Sequence, residues 1–194
     1  MEALVGLKGR DFVLVSAESS VMNSYLVIKR KDDKFSDLNE NVTLVYNGDQ
    51  GDAFRTAKFV VEDLKYRQLE SNLKINPKVV SCSIQNKIYE KLRVNPLKCG
   101  FLVGGMSCNN PELYSIDNYG ASFKENFIAM GMGTYFCYGI LDNNYKEDLS
   151  QEEGIEIIKK CYKVLKERCS LNIEGVTIKV VSNSGIESID LEIK

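Results

Sequence analysis

The sequence contains no histidine, which removes several kinds of chemistry at once. No histidine-based catalytic triad, histidine general base or histidine metal ligand can be built from these 194 residues. An excess of basic charge is also missing, since 25 Lys and Arg stand against 27 Asp and Glu. Nucleic acids and anionic membranes attract strongly basic surfaces. We therefore expect no nucleic-acid partner, no membrane partner, no metal and no cofactor.

Linkers and long apolar runs are equally scarce. Proline occurs only 3 times, and no repeat or Pro/Gly-rich stretch divides the chain. A length of 194 residues suits one domain, so we predict that residues 1–194 form a single domain. The apolar runs are too short to span a membrane, and residues 1–9 lack the pattern of a secretory signal.

The six cysteines contain no CxxC pair, which argues against a zinc ribbon or a thiol redox motif. Five of them lie among apolar neighbours and are expected to be small buried core residues. Together with the missing secretory signal, this usage predicts an intracellular, reducing compartment.

Short apolar segments rich in β-branched residues predict strands in pairs. The segment between the third and fourth strands, Lys31–Lys34, is expected to be a solvated charged turn. The predicted strands cover residues 3–8, 12–17, 25–29, 42–46, 99–106, 112–117, 176–182 and 186–193. In the last of these, apolar and polar residues alternate, which is typical of a one-sided strand.

Helices are predicted where apolar residues recur every three or four positions. Asp49 can cap the first helix, and Pro77 suits the first turn of the second, which Asn95-Pro96 ends. Residues 131–141 are apolar almost all round and predict a short buried helix. Ser150-x-x-Glu153 is a capping box that opens an amphipathic helix over residues 150–169.

Because the helices arrive in pairs, a doubly wound parallel sheet is disfavoured. Two antiparallel sheets covered by helix pairs, an α+β fold arranged as a four-layer αββα sandwich, fit the order best.

The local motifs do not reveal a reaction. Gly104-Gly105 and Gly131-x-Gly133 match no phosphate loop and are better explained as packing glycines. A cysteine nucleophile would have no histidine partner and would need a lysine or a helix end for activation. Four acids near turns and helix starts are expected to cap or to be solvated: Asp32, Asp33, Asp49 and Asp52.

Six motifs follow one another along the chain: Met1-Glu-Ala-Leu-Val-Gly-Leu-Lys-Gly, Gly48-Asp-Gln-Gly51-Asp52, Leu102-Val-Gly-Gly105, Glu112-Leu-Tyr-Ser-Ile-Asp117, Ala129-Met-Gly-Met-Gly133-Thr-Tyr and Ile140-Leu-Asp142-Asn-Asn-Tyr145. This ordered set resembles proteasome β-type subunits over essentially the whole chain. We expect no extra helix before the first strand, whereas an α-type subunit would have one. Further motifs resemble most the family members at the fourth position of the β ring: Lys31-Asp-Asp-Lys34-Phe35, Leu73-x-Ile-Asn-Pro77 and Lys166-Glu-Arg-x-x-Leu171-Asn172.

The resemblance implies the N-terminal-nucleophile fold, in which a threonine freed from a propeptide attacks the peptide carbonyl. This chain starts with Met1-Glu2 instead, and we expect neither a propeptide nor a Gly-Thr cleavage site. The family's supporting lysine matches Lys34, its acid matches Glu18, and Thr134 replaces the serine expected after Gly133. We therefore predict no catalytic residue, and we expect Lys34 to be a leftover or a surface charge.

The resemblance thus implies a non-catalytic, structural β subunit of the 20S proteasome core particle, in the cytoplasm and the nucleus. It would complete a seven-membered ring and help enclose the chamber used in ubiquitin-dependent degradation. The implied partners are the β subunits at the third and fifth positions, α subunits and the opposite β ring, which can include a second copy of this chain. The last strand and the helix over residues 150–169 are the expected contact surfaces.

Two other hypotheses remain open from the sequence. One is a free-standing hydrolase of the same fold with an unrecognised serine or cysteine nucleophile. The other is a homo-oligomeric scaffold outside the proteasome.

Overall fold

A computed structural model describes residues 2–23, 26–169 and 173–193. Within these residues, twelve strands are present. In chain order they are β1 (Ala3–Lys8), β2 (Phe12–Glu18), β3 (Val21–Asn23), β4 (Leu26–Lys29), β5 (Phe35–Asn39), β6 (Val42–Gly48), β7 (Cys99–Ser107), β8 (Asn110–Ile116), β9 (Ser122–Lys124), β10 (Phe127–Gly131), β11 (Gly175–Ser182) and β12 (Gly185–Glu192).

The strands form two five-stranded antiparallel sheets and one small hairpin. The first sheet has the order β10-β1-β2-β11-β12, and the second has the order β5-β6-β7-β8-β9. β3 and β4 pair with each other outside both sheets. Two antiparallel sheets are what the sequence predicted.

Helices cover the outer face of each sheet. The helices are α1 (Gln50–Ser71), α2 (Pro77–Lys91), α3 (Gly133–Phe136), α4 (Tyr138–Asn144) and α5 (Gln151–Arg168). α1 and α2 pack on the second sheet, whereas α3 and α5 pack on the first and α4 lies against α5. The predicted αββα sandwich is therefore confirmed. Among the described helices, none is long and apolar enough to cross a membrane.

β1 and β2 are inner strands of the first sheet, and both of their faces are buried. Successive side chains point to opposite faces of a strand. Leu4, Val13 and Val15 enter the core between the two sheets, while Leu7 and Leu14 pack under the helices. This placement explains why both segments are apolar runs and not alternating patterns.

The glycine pairs have the packing role that the sequence indicated. A Cβ on Gly104 would overlap Val15 and approach Val13 Cγ1 to 2.9 Å, so the two sheets meet closely at this point. Gly131 has φ +62°, and a Cβ there would overlap the carbonyl oxygen of Glu2. Both positions need glycine to let backbones approach.

The helix starts follow the predicted signals. Asp49 Oδ1 accepts a hydrogen bond from the Asp52 N–H at 3.1 Å at the start of α1. Ser150 and Glu153 form the predicted capping box of α5, with bonds of 3.3 and 2.9 Å. α2 begins at Pro77 and ends at Lys91, just before Asn95-Pro96.

The predicted strand over residues 25–29 is confirmed where the structure describes it, but its pairing is not the expected one. Its described part is β4, while Tyr25 lies outside the described residues. β4 pairs with β3, and the partner of β6 is β5, which the sequence analysis missed. A register shift at Asp37 lets both Phe35 and Leu38 be buried, so the segment lacks the alternation expected of a strand.

The prediction of one buried helix over residues 131–141 is wrong. Gly131 ends β10, which the sequence analysis also missed, and two short helices follow. Only one side is buried, through Gly133, Cys137 and Leu141 at intervals of four. Tyr135 on the opposite side is 81% exposed.

The cysteines are less uniformly buried than expected. Cys99, Cys137 and Cys161 are core residues, and Cys169 is half-buried. Cys82 and Cys108 are exposed, so the prediction that five of the six cysteines are buried is wrong. Cys108 lies in the turn between β7 and β8 with φ +49°.

The close approach of the sheets at Gly104 gives the first testable prediction. Gly104→Ala should lower the free energy of unfolding by about 1–3 kcal/mol, because the added methyl group must push Val15 and Val13 away. Gly139→Ala is the matched control, since nothing lies within 4 Å of a Cβ there, and it should be neutral or stabilising. Urea unfolding of the full chain measures both. Equal effects would contradict the packing argument.

Candidate functional site

Lys34 lies at the centre of a buried cluster of charged residues. Its side chain is 1% exposed, so the expectation of a surface charge is wrong. Its Nζ lies 3.0 Å from Glu2 Oε1 and 3.8 Å from Glu18 Oε1, and donates to the carbonyl oxygen of Ser20 at 2.8 Å. Lys34 turns inward because Asp33 accepts the N–H of Phe35 at 3.0 Å, and this turn leads the chain into β5.

Glu2 enters the cluster from the start of β1. Its Oε1 accepts from Gln50 Nε2 at 2.8 Å, and its Oε2 accepts from the N–H of Gly48 at 3.1 Å. The carbonyl oxygen of Glu2 also accepts from the N–H of Met132 at 2.9 Å. Through these bonds one residue connects β1 with the end of β6, the start of α1 and the turn after β10.

Glu18 ends β2 and is the carboxylate without a strong partner. It is 1% exposed, and neither of its oxygens makes a hydrogen bond of normal geometry with the described residues. Burial raises the pKa of Glu18 to about 7, while Lys34 lowers it in part and the carboxylate of Glu2 raises it further. Lys34 is already engaged with Glu2 and Ser20, so a proton on Glu18 balances the remaining charge.

The residues at the positions that match the family's lysine, acid and serine are only partly brought together. Glu2, Glu18 and Lys34 meet in one cluster. Thr134 is instead committed to the backbone, because its Oγ1 donates to the carbonyl oxygen of Ala129 at 3.1 Å. The sequence analysis missed Gly48 and Gln50 as hydrogen-bond donors to Glu2. Only the three-dimensional position of the Glu2 carboxylate identifies them.

A cleft of about 530 Å³ opens beside the cluster. Glu2 and Gly48 line one part of it, and Cys99, Asp117 and Met130 line others. Burial raises the pKa of the Cys99 thiol to about 11, with Asp52 raising it further. This thiol therefore stays protonated at neutral pH, and a protonated thiol is a poor nucleophile.

The serine nearest to the sheet core is also unavailable for attack. Ser16 is fully buried on β2, and its Oγ donates to the carbonyl oxygen of Val5 at 2.7 Å. The Tyr162 hydroxyl lies 3.3 Å from the same Oγ. Cys99 and Ser16 thus give no support to the hypothesis of an unrecognised nucleophile.

The raised pKa of Glu18 predicts a pH-dependent stability. The folded chain holds this proton more tightly than an unfolded chain with a pKa of 4.5, so the contribution is fully present below pH 4.5 and is lost as the pH rises through 7. We expect the free energy of unfolding to fall by about 2–3 kcal/mol between pH 5 and pH 8 from this group. Glu18→Gln should remove that fall, whereas the exposed control Glu167→Gln should keep it. Identical pH profiles for the two variants would refute the assignment.

The comparisons with known proteins agree with this geometry. The family model described as "Proteasome subunit" matches residues 2–181. A "Probable proteasome subunit beta type-4" of Encephalitozoon cuniculi is 38% identical over 96% of this chain and 94% of its own length. A protein of the same name from Schizosaccharomyces pombe is 30% identical over 98% of this chain and 100% of its own length. A "Proteasome subunit beta type-2" of Oryza sativa is 30% identical over 95% of this chain and 88% of its own length.

The family model covers Glu2, Glu18 and Lys34, the five described helices, the strands β1 to β10 and β11 as far as Val181. The chain therefore belongs to the proteasome subunit family.

Proposed function

We propose that this chain is a non-catalytic β subunit of the 20S proteasome core particle, at the fourth position of the β ring. Three of the relatives that match over most of their length are named beta type-4 or beta type-2 subunits, which supports this position. Its role is structural: it completes the ring and helps enclose the proteolytic chamber in ubiquitin-dependent degradation. Residues 1–194 act as one domain in this role.

The observation that carries the non-catalytic proposal is the ion pair between Glu2 and Lys34. In the family mechanism a lysine supports a threonine hydroxyl, and Lys34 matches that lysine. Here the lysine contacts a carboxylate at 3.0 Å, and a carboxylate held by an ammonium and two other donors does not attack a peptide carbonyl. We therefore assign no catalytic residue, no cofactor and no metal to this chain.

The partners follow from the ring position. They are the β subunits at the third and fifth positions, α subunits and the opposite β ring, which can include a second copy of this chain. The particle is expected in the cytoplasm and the nucleus. Neither nucleic acid nor a membrane is a partner in this proposal.

The contact surfaces need a change from the sequence-based hypothesis. Ile189 and Leu191 on β12 pack against the chain's own helix-side core, so their apolar face is partly covered. What β12 offers a partner is its free edge at the end of the first sheet. The β3–β4 hairpin exposes more apolar surface, because Leu26 and Ile28 are well exposed.

Assembly is the direct test of the proposal. Complexes purified through a C-terminally tagged copy should show the chain in a large particle with the other proteasome subunit types, two copies per particle, by native mass spectrometry. The intact mass should retain Glu2. A chain that elutes alone and hydrolyses peptides would overturn the proposal and favour the free-standing hydrolase. A closed ring of this chain alone would favour the homo-oligomeric scaffold.

A second test separates a structural role of Lys34 from a catalytic one. Lys34→Met leaves buried carboxylates without their cation and should cost about 3–5 kcal/mol in the free energy of unfolding. Adding Glu2→Gln should recover most of that loss, because no ionised carboxylate then faces the missing charge.

Peptidase activity of the assembled particle completes this test. Particles that contain the Glu2→Gln/Lys34→Met chain should hydrolyse peptides at the rate of wild-type particles. A loss of one peptidase activity in these particles, with assembly intact, would show that Lys34 acts in catalysis.

A further inference from the structure

Three hydrogen-bond donors converge on the carboxylate of Glu2. They are the Lys34 ammonium at 3.0 Å, the Gln50 amide at 2.8 Å and the main-chain N–H of Gly48 at 3.1 Å. None of the three belongs to β1, the strand that carries Glu2. The donors therefore form a pocket that the rest of the chain builds, and β1 delivers the anion into it.

Two of the three donors, Lys34 and Gly48, are held by contacts that do not involve Glu2. Lys34 Nζ is also fixed by the carbonyl oxygen of Ser20 at 2.8 Å. Gly48 has φ +107° and pairs with Cys99, and a Cβ on Gly48 would lie 2.9 Å from the Cys99 Cα. Its N–H direction is thus set by the sheet. An ammonium and neutral N–H donors with fixed directions are a strong site for a carboxylate.

We propose that this pocket, named here the carboxylate pocket and formed by Lys34, Gly48 and Gln50, is a binding site for small monocarboxylates. Glu2 fills it as an internal ligand. When the Glu2 carboxylate is removed, formate or acetate takes its place. This inference goes beyond the proposed function and does not depend on assembly into a particle.

The pocket has a route to solvent once Glu2 is shortened. Glu2 is one of the residues that line the cleft of about 530 Å³, and its carboxylate contacts Lys34, so this residue adjoins both the cleft and the ammonium. Glu2→Ala removes a CH₂ group and a carboxylate, which together are similar in size to acetate. The vacated volume and its donors therefore match the probe in both shape and charge.

The Glu18 carboxylate competes with added acetate for Lys34, so the experiment must also replace Glu18. Its Oε1 lies 3.8 Å from Lys34 Nζ, which is too far for a hydrogen bond but close enough for an ion pair. In the Glu2→Ala chain this carboxylate is the nearest anion to Lys34. Adding Glu18→Gln keeps the shape of the side chain but leaves Lys34 without any carboxylate. Added acetate should therefore raise the unfolding temperature most in the double variant.

The experiment measures the unfolding temperature of the full chain at pH 8 in sodium acetate and in sodium chloride at equal ionic strength. For Glu2→Ala/Glu18→Gln, 100 mM acetate should raise the unfolding temperature by at least about 3 °C over chloride, and Glu2→Ala should show a smaller rise. Wild type and the exposed control Glu167→Ala should show no difference between the two salts.

Removing the ammonium tests the identity of the pocket. Lys34→Met added to Glu2→Ala should abolish the acetate effect. If a variant needs the anion in order to fold, its refolding yield is measured instead. That yield should be higher in acetate than in chloride. The proposal is overturned if acetate gives no gain in temperature or yield in the double variant, or if the gain persists with Lys34→Met. Either result leaves the assembly test of the proposed function unaffected.

Discussion

The buried ammonium of Lys34 is the constraint on which the arrangement of the N-terminal strand depends. An ammonium at 1% exposure must be paired, since an unpaired buried charge costs several kcal/mol. The fold meets this requirement with Glu2, and the same carboxylate also accepts hydrogen bonds from Gly48 and Gln50. One ion pair thereby positions β1 against β6 and α1, which belong to the other half of the sandwich.

The sheet register explains why two acids meet this one lysine. Leu4 is paired with Ala17 in the antiparallel β1–β2 ladder. Glu2 and Glu18 therefore lie next to each other at the same end of the two strands, and both reach Lys34. Burial is the main cause of the raised pKa of Glu18, and the neighbouring carboxylate of Glu2 raises it further because one ammonium cannot compensate both acids. The cluster is neutral when Glu18 keeps its proton.

The sequence predicted those features whose signals are local. The capping box at Ser150, the Asp49 cap and the αββα order of elements depend on neighbouring residues and on periodicity, and all three are confirmed. β5 was not predicted because a register shift breaks the alternation of its buried and exposed residues. The burial of Lys34 was not predicted either, because it follows from Glu2 and Ser20, which are distant in sequence. A run of charged residues predicts a solvated turn as long as its partners in the folded chain are unknown.

The same lysine has two possible uses that exclude each other. To support a nucleophile, a buried lysine must face a hydroxyl or thiol and keep its proton available. To support structure, it must be paired with an anion, and Lys34 is paired with Glu2 at 3.0 Å. The carboxylate of Glu2 therefore places Lys34 in the second use. On this argument, Glu2 is the residue that decides which of the two uses the buried lysine has.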